Sequence, residues 1–171
     1  MPADRPTEIR HWRDLQEADD SHYPDSAELL AIDTPFGAHF GFARLGIHHV
    51  LIPPGRRTSW PHAEKTEDEF AYVIAGTPDV WIDGILHRLI PGHGVGFKAG
   101  TGVCHTFLNN TGEPVQLLVV GDRKREDNRY FYPLHPKRNA EIGADLWRDP
   151  PSQKIGPHDG KPDKLRESEI V

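Results

Sequence analysis

From residue 36 to residue 120 the chain is cut into short runs of β-branched, aromatic and aliphatic residues, each closed by Gly or Pro within about 8 to 12 residues. That spacing leaves no room for long helices and is the texture of an antiparallel sandwich or barrel. The runs are 36–43, 46–52, 70–75, 80–83, 85–90, 95–98, 104–109 and 115–120. Between Trp81 and Leu86 the pair Asp83-Gly84 separates two alternating segments, and both residue types tolerate the positive φ that a two-residue hairpin turn demands. A hairpin is predicted there. Pro53-Pro54-Gly55 and Pro91-Gly92 mark further turns, and Gly100 with Gly102 marks a tight loop before Cys104.

Outside this stretch the pattern dissolves. Residues 1–35 are rich in charge and contain Pro2, Pro6, Pro24 and Pro35, so they read as an N-terminal arm with a short helix expected at 26–31. After Gly121 comes a polar segment, then a Tyr130-Phe131-Tyr132 patch and a proline-rich tail in which Ile142, Leu146 and Trp147 fall near helical spacing. Residues 122–171 are therefore expected to form an extension lying across the barrel or across a partner subunit. A chain of 171 residues suits one domain, here an all-β unit over 36–121 with irregular arms on both sides.

Charge and composition narrow the partners. The formal charge is -6 and no basic tract carries interleaved aromatics, which argues against nucleic acid. No run approaches the roughly 20 apolar residues that span a bilayer, and the N-terminus lacks the apolar core of a secretion signal. A cytoplasmic protein without membrane contact is expected. Cys104 is the only cysteine, so no intrachain disulfide can form.

The densest chemistry lies in 60–76. If 62–64 is extended, His62 and Glu64 share one face while Ala63 points away. Glu69 opens the next strand after a short charged loop, so a hairpin return can bring its carboxylate beside His62. A glycine-rich loop then delivers His105 at the start of another strand. Two imidazoles and one or two carboxylates are a borderline-hard donor set, suited to a divalent transition ion such as Zn, Fe, Mn or Ni.

Gly55, His62, Glu64, Glu69 and Gly76, followed by Gly94, His105 and Asn109, resemble the two signature motifs of the cupin superfamily. The likeness covers about residues 46–121. It implies a double-stranded β-helix, the jelly-roll barrel, with one metal ion inside, and it places His62, Glu69 and His105 at metal-binding positions. Two departures stand out: Glu64 replaces the second histidine of the usual His-x-His pair, and Ala99 replaces a customary proline. If Glu64 ligates, two carboxylates and two neutral imidazoles balance the ion. If it turns away, a two-histidine, one-carboxylate triad leaves three adjacent positions for substrate and O₂ on Fe(II).

The resemblance further implies a homodimer and a small-molecule ligand or substrate. The expected function is that of a metal-binding protein, either an enzyme on a small oxygen-rich molecule, of dioxygenase, isomerase or decarboxylase type, or a non-catalytic binding module in which the metal orients the ligand. The remaining candidates draw blander readings. Glu67 and Asp68 read as solvated loop charges with no role. His48 and His49 are adjacent on a strand, so only one can face inward. Cys104 must point away from His105 and reads as a buried thiol.

Overall fold

The structure, a computed structural model, describes residues 6–168; the outermost five residues of the first arm and three of the last lie outside the described residues. Ten strands carry the fold: β1 (Ile32–Thr34), β2 (Leu45–Ile52), β3 (Ala63–Glu64), β4 (Glu69–Ala75), β5 (Asp79–Ile82), β6 (Ile85–Arg88), β7 (Gly94–Phe97), β8 (His105–Leu108), β9 (Val115–Asp122) and β10 (Tyr130–Phe131). Four short helices flank them: α1 (Trp12–Leu15), α2 (Phe36–His39), α3 (Pro136–Glu141) and α4 (Asp163–Ser168). Every ladder is antiparallel, in a five-stranded sheet ordered β1-β2-β9-β4-β7, a three-stranded sheet ordered β6-β5-β8 and the pair β10-β3. This is the all-β jelly-roll architecture. Among the described residues no helix is long and apolar enough to cross a membrane.

Alternation along the strands builds two cores. Ile52, Ala71, Val73, Val80, Phe107, Val115 and Leu117 meet inside the barrel. The other face of the small sheet is buried as well, where Trp81 and Leu108 pack with Ala63, Cys104 and Trp147 from the C-terminal extension. All four residues of β8 are buried for this reason. The indole N–H of Trp81 donates to the carbonyl of His158 at 2.8 Å, and the backbone N–H of Trp147 donates to Tyr130 at 2.8 Å.

The Asp83-Gly84 hairpin is present, with φ of 45° and 88° at the two turn positions. Glycine is needed at 84 for a second reason: a Cβ there would run into the backbone of Gly156, whose N–H donates to the carbonyl of Asp83. The hairpin tip and the extension are thus joined by close backbone approach.

Three local expectations are corrected, and one segment that the sequence left unassigned gains a place. Residues 36–43 do not form a strand; after Pro35 the chain turns into α2, and the rings of Phe36 and Phe40 stack at 6.0 Å across one helical turn. No helix forms at 26–31, where the chain is drawn along the barrel by Ala31 N–H donating to the Arg57 carbonyl. The first arm instead supplies β1, pairing with β2 in the register Asp33 to Val50. The Tyr130-Phe131 segment is β10, pairing within the chain with β3 in the register Tyr130 to Glu64.

Candidate functional site

A cavity of about 300 Å³ opens between the sheets. His62, Glu69 and His105 line it together with His48, Asp33 and the hydroxyl-bearing residues Ser21, Thr58 and Ser59. Its apolar lining is Ala31, Val50, Phe107 and Val119.

The backbone sets the imidazole pair. His62 and His105 exchange backbone hydrogen bonds at 2.9 and 3.2 Å, an isolated antiparallel bridge that leaves the rings 5.3 Å apart, centroid to centroid. The ring nitrogen Nδ1 of His62 lies 2.9 Å from the Trp60 carbonyl, which orients the ring by accepting the Nδ1 proton and leaves Nε2 as the basic nitrogen. Burial, with the His105 charge beside it, pushes His62 down to about 4, so the ring is neutral near pH 7. Phe97 stacks flat on His105, at 3.5 Å and 5°, and fixes its plane.

Glu69, first residue of β4, faces inward while Phe70 faces out. Its Oε1 is 3.0 Å from His105 Nε2. Burial alone would push the Glu69 carboxyl up, but the charge and hydrogen bond of His105, with His62 and His48 behind, bring it below its ordinary value. Glu64 sits with Oε1 3.8 Å from His62 Nε2, yet it lines a smaller recess shared with Glu67, Glu69 and Lys98 rather than the main cavity.

The donor chemistry fits a divalent ion. His105 Nε2 and Glu69 Oε1 are 3.0 Å apart, a hydrogen-bond distance. Buried His105 Nδ1 has no hydrogen-bond partner. Among the described residues, however, no three His, Cys, Asp or Glu side chains stand together as a ready-made metal site. What holds the arrangement short of one is the direct His105–Glu69 hydrogen bond, which turns two donors toward each other.

Glu64 carries an electrostatic cost. Burial, then Glu69, Glu67 and Asp122, push its carboxyl from 4.5 up to about 8. A carboxyl raised in the folded state stabilises below its unfolded value and loses that contribution as pH climbs through the folded one, here between about pH 4.5 and 8. In EDTA, Glu64→Gln is therefore expected to melt higher than the parent protein at pH 9, by a few degrees, with the gap closing at pH 5. Scanning calorimetry at both values checks this; an equal gap at the two would show that Glu64 carries no such cost.

Of the two loop charges read as solvated, Asp68 is exposed as expected and Glu67 is not. Glu67 is buried, at 9% exposure, and accepts the Arg125 backbone N–H at 2.5 Å. Asp68 accepts the Ala99 N–H at 2.7 Å. Both tie neighbouring loops to the β3–β4 turn, a role that depends on partners 31 and 58 positions away in sequence. Cys104 is buried behind the site, its thiol pushed up to about 12 by burial and then by Asp83.

Of the adjacent histidines, His48 faces in with Val50, whereas His49 faces out, stacked on Trp12 at 4.2 Å and bonded to Gln116. His48 Nδ1 is 2.7 Å from Asp33 Oδ2. Asp33 Oδ1 in turn accepts the Thr34 N–H at 2.8 Å. The Asp33 hydrogen bond raises His48 above its ordinary value against the opposing effect of burial. Sequence reasoning missed this pair, because β1 has only three residues and its alternation is too short to read.

Residues 48–121 match the family described as Cupin domain. A sugar phosphate isomerase from a cupin superfamily, from Silicibacter pomeroyi, is 30% identical over 60% of this chain and 64% of its own length, with a TM-score of 0.57. The chain thus spans less than two thirds of that protein. Two more distant structures speak to the fold: an Acidithiobacillus ferrooxidans protein at 22% identity, covering 74% of this chain and 81% of its own with TM-score 0.65, and the polyketide cyclase RemF of Streptomyces resistomycificus at 19%, covering 81% and 97% with TM-score 0.59. No curated protein matches the sequence.

Proposed function

Because residues 48–121 match the cupin-domain family, we propose that the cavity of this chain holds one divalent transition-metal ion on His62, Glu69 and His105, with Glu64 as a candidate fourth donor, and works as an enzyme on a small oxygen-rich molecule. The observation that carries the reading is the approach of two oriented imidazoles and one half-buried carboxylate in a cavity whose remaining lining is the His48–Asp33 pair, three hydroxyls and apolar side chains. When bound, such an ion polarises a carbonyl or hydroxyl oxygen as a Lewis acid.

The chain's own residues supply the rest. The Trp60 carbonyl and the Phe97 ring keep the two imidazoles in fixed planes, so little ordering is lost when a ligand arrives. Ser21, Thr58 and Ser59 offer hydrogen-bonding hydroxyls to a polar substrate, and Val50, Phe107 and Val119 offer apolar contact to its carbon skeleton. The Silicibacter relative is a sugar phosphate isomerase, which supports the isomerase type within this reading.

A second reading keeps the ion without turnover, a binding module in which it orients a ligand held by the Ser21, Thr58 and Ser59 hydroxyls. Metal analysis of untagged protein, followed by product formation and O₂ uptake by Fe(II)- and Mn(II)-loaded samples over hydroxy and keto compounds, separates them. About one ion per chain with turnover is the expected result. A bound ion without turnover on any compound would favour the binding module, and metal far below stoichiometry would sink both metal-dependent versions.

A further inference from the structure

Two features of the cavity go beyond a metal site. The first is the His48–Asp33 pair, which reaches the cavity from β2 and β1, while His105 comes from β8 in the other sheet. It has the architecture of a base and its orienter: Asp33 is fixed by the Thr34 N–H, it accepts from His48 Nδ1, and Nε2 is thereby left as the basic nitrogen. A purely structural ion pair has no need of the cavity, yet both side chains keep about a third of their surface open, 36% and 33%. The second feature is charge. Among the described residues lining the cavity there is no Lys and no Arg; the charged groups are the carboxylates of Asp33 and Glu69. Apart from the ion itself, which the reacting oxygens would occupy, a phosphate group would have no cation to meet, and it would face the Asp33 carboxylate.

Resting on the reading above, we infer that His48, oriented by Asp33, moves a proton between adjacent carbons of an uncharged hydroxycarbonyl compound, and that this site selects against the phosphorylated form. His48 Nε2 takes the proton from the carbon that bears the hydroxyl, next to the carbonyl. The C–H electron pair becomes the C=C bond of an enediolate, and the carbonyl oxygen takes the displaced π pair. Return of the proton to the former carbonyl carbon, with the hydroxyl proton passing between the two oxygens, gives the isomeric hydroxycarbonyl. No oxidant, reductant or co-reactant is consumed.

The test uses dihydroxyacetone and dihydroxyacetone phosphate as probes in D₂O, with ¹H NMR reading deuterium entering at carbon. Metal-loaded wild-type protein is expected to exchange dihydroxyacetone faster than its phosphate. His48→Gln should slow exchange by about 100-fold or more while keeping the metal content and melting temperature of the wild type. Asp33→Asn should slow it less, and long-range ¹H–¹⁵N spectra should show His48 protonated on Nδ1 in the wild type and losing that preference in the variant. Wild-type exchange rates in His48→Gln, or faster handling of the phosphate, would overturn the proposal. Absence of exchange in the wild type overturns it whether or not metal is held, and the metal content then says whether the metal-site reading falls with it.

Discussion

His105→Ala is expected to weaken metal binding by more than about 100-fold, since the loss of an orienting partner alone commonly costs 10- to 100-fold and this change removes the donor itself. The ring belongs to the pair that the backbone bridge holds 5.3 Å apart, and Phe97 clamps its plane. No other imidazole lining the cavity comes from β8. The readout is thermal. Mn(II) at about 100 times its Kd should stabilise the wild type by about 2.7 kcal/mol, roughly 5 to 10 °C for a chain of this size. The variant should show no such shift, and Glu126→Ala, an exposed loop change, should shift like the wild type. Because the buried ring also packs, His105→Ala will start from a lower melting temperature; the metal-induced increment, not the baseline, carries the prediction. Equal increments in the two proteins would remove His105 from the site.

Arg57→Ala should be the most damaging change outside the cavity, costing about 3 to 5 kcal/mol, or roughly 10 °C. Arg57 is 1% exposed. Its guanidinium donates twice to Glu28, at 2.6 and 2.7 Å, and once to the Gly160 carbonyl at 2.7 Å. Glu28 also accepts from the Trp60 indole at 3.0 Å, beside the site. One side chain thus joins the N-terminal arm, the barrel and the C-terminal extension. Its removal leaves a largely buried carboxylate without a counter-charge, and that orphan, more than the lost attraction, sets the size of the effect. The Arg57→Ala, Glu28→Ala double variant should therefore lose less than the sum of the two single changes. Strict additivity, or a drop of under about 3 °C in Arg57→Ala, would show that the three segments are held together by other contacts.

The strands were legible where both alternation and punctuation were present. β2, β4, β5, β6, β7, β8 and β9 fall within two or three residues of runs visible in the sequence, and the Asp83-Gly84 turn is where its chemistry put it. Failures cluster where a segment's state depends on a distant partner. Residues 32–34 are a strand only because β2 offers an edge, and 130–131 only because β3 does. Residues 36–40 look extended by composition, but Pro35 and the Phe36–Phe40 stack favour a turn of helix. Glu67 looked solvated because a sequence window cannot show Arg125 arriving from 58 positions away.

The candidate site divides in the same way. The spacing of His62, Glu64, Glu69 and His105 sufficed to nominate them, since glycine turns and a period of two dictate which side chains can share a face. Local rules also stated that only one of His48 and His49 can face inward. Which one does, that Asp33 waits beside it, that Glu64 borders a smaller recess sharing Glu69 and His105 with the cavity, and that no Lys or Arg lines the cavity were decided by the closing of the barrel. The chain determines by itself what its short-range geometry determines: turns, faces and donor types. Register between strands far apart in sequence is chosen by the burial gained when whole sheets pack, and only that step brings residues 33 and 48 to the same cavity as 62, 69 and 105.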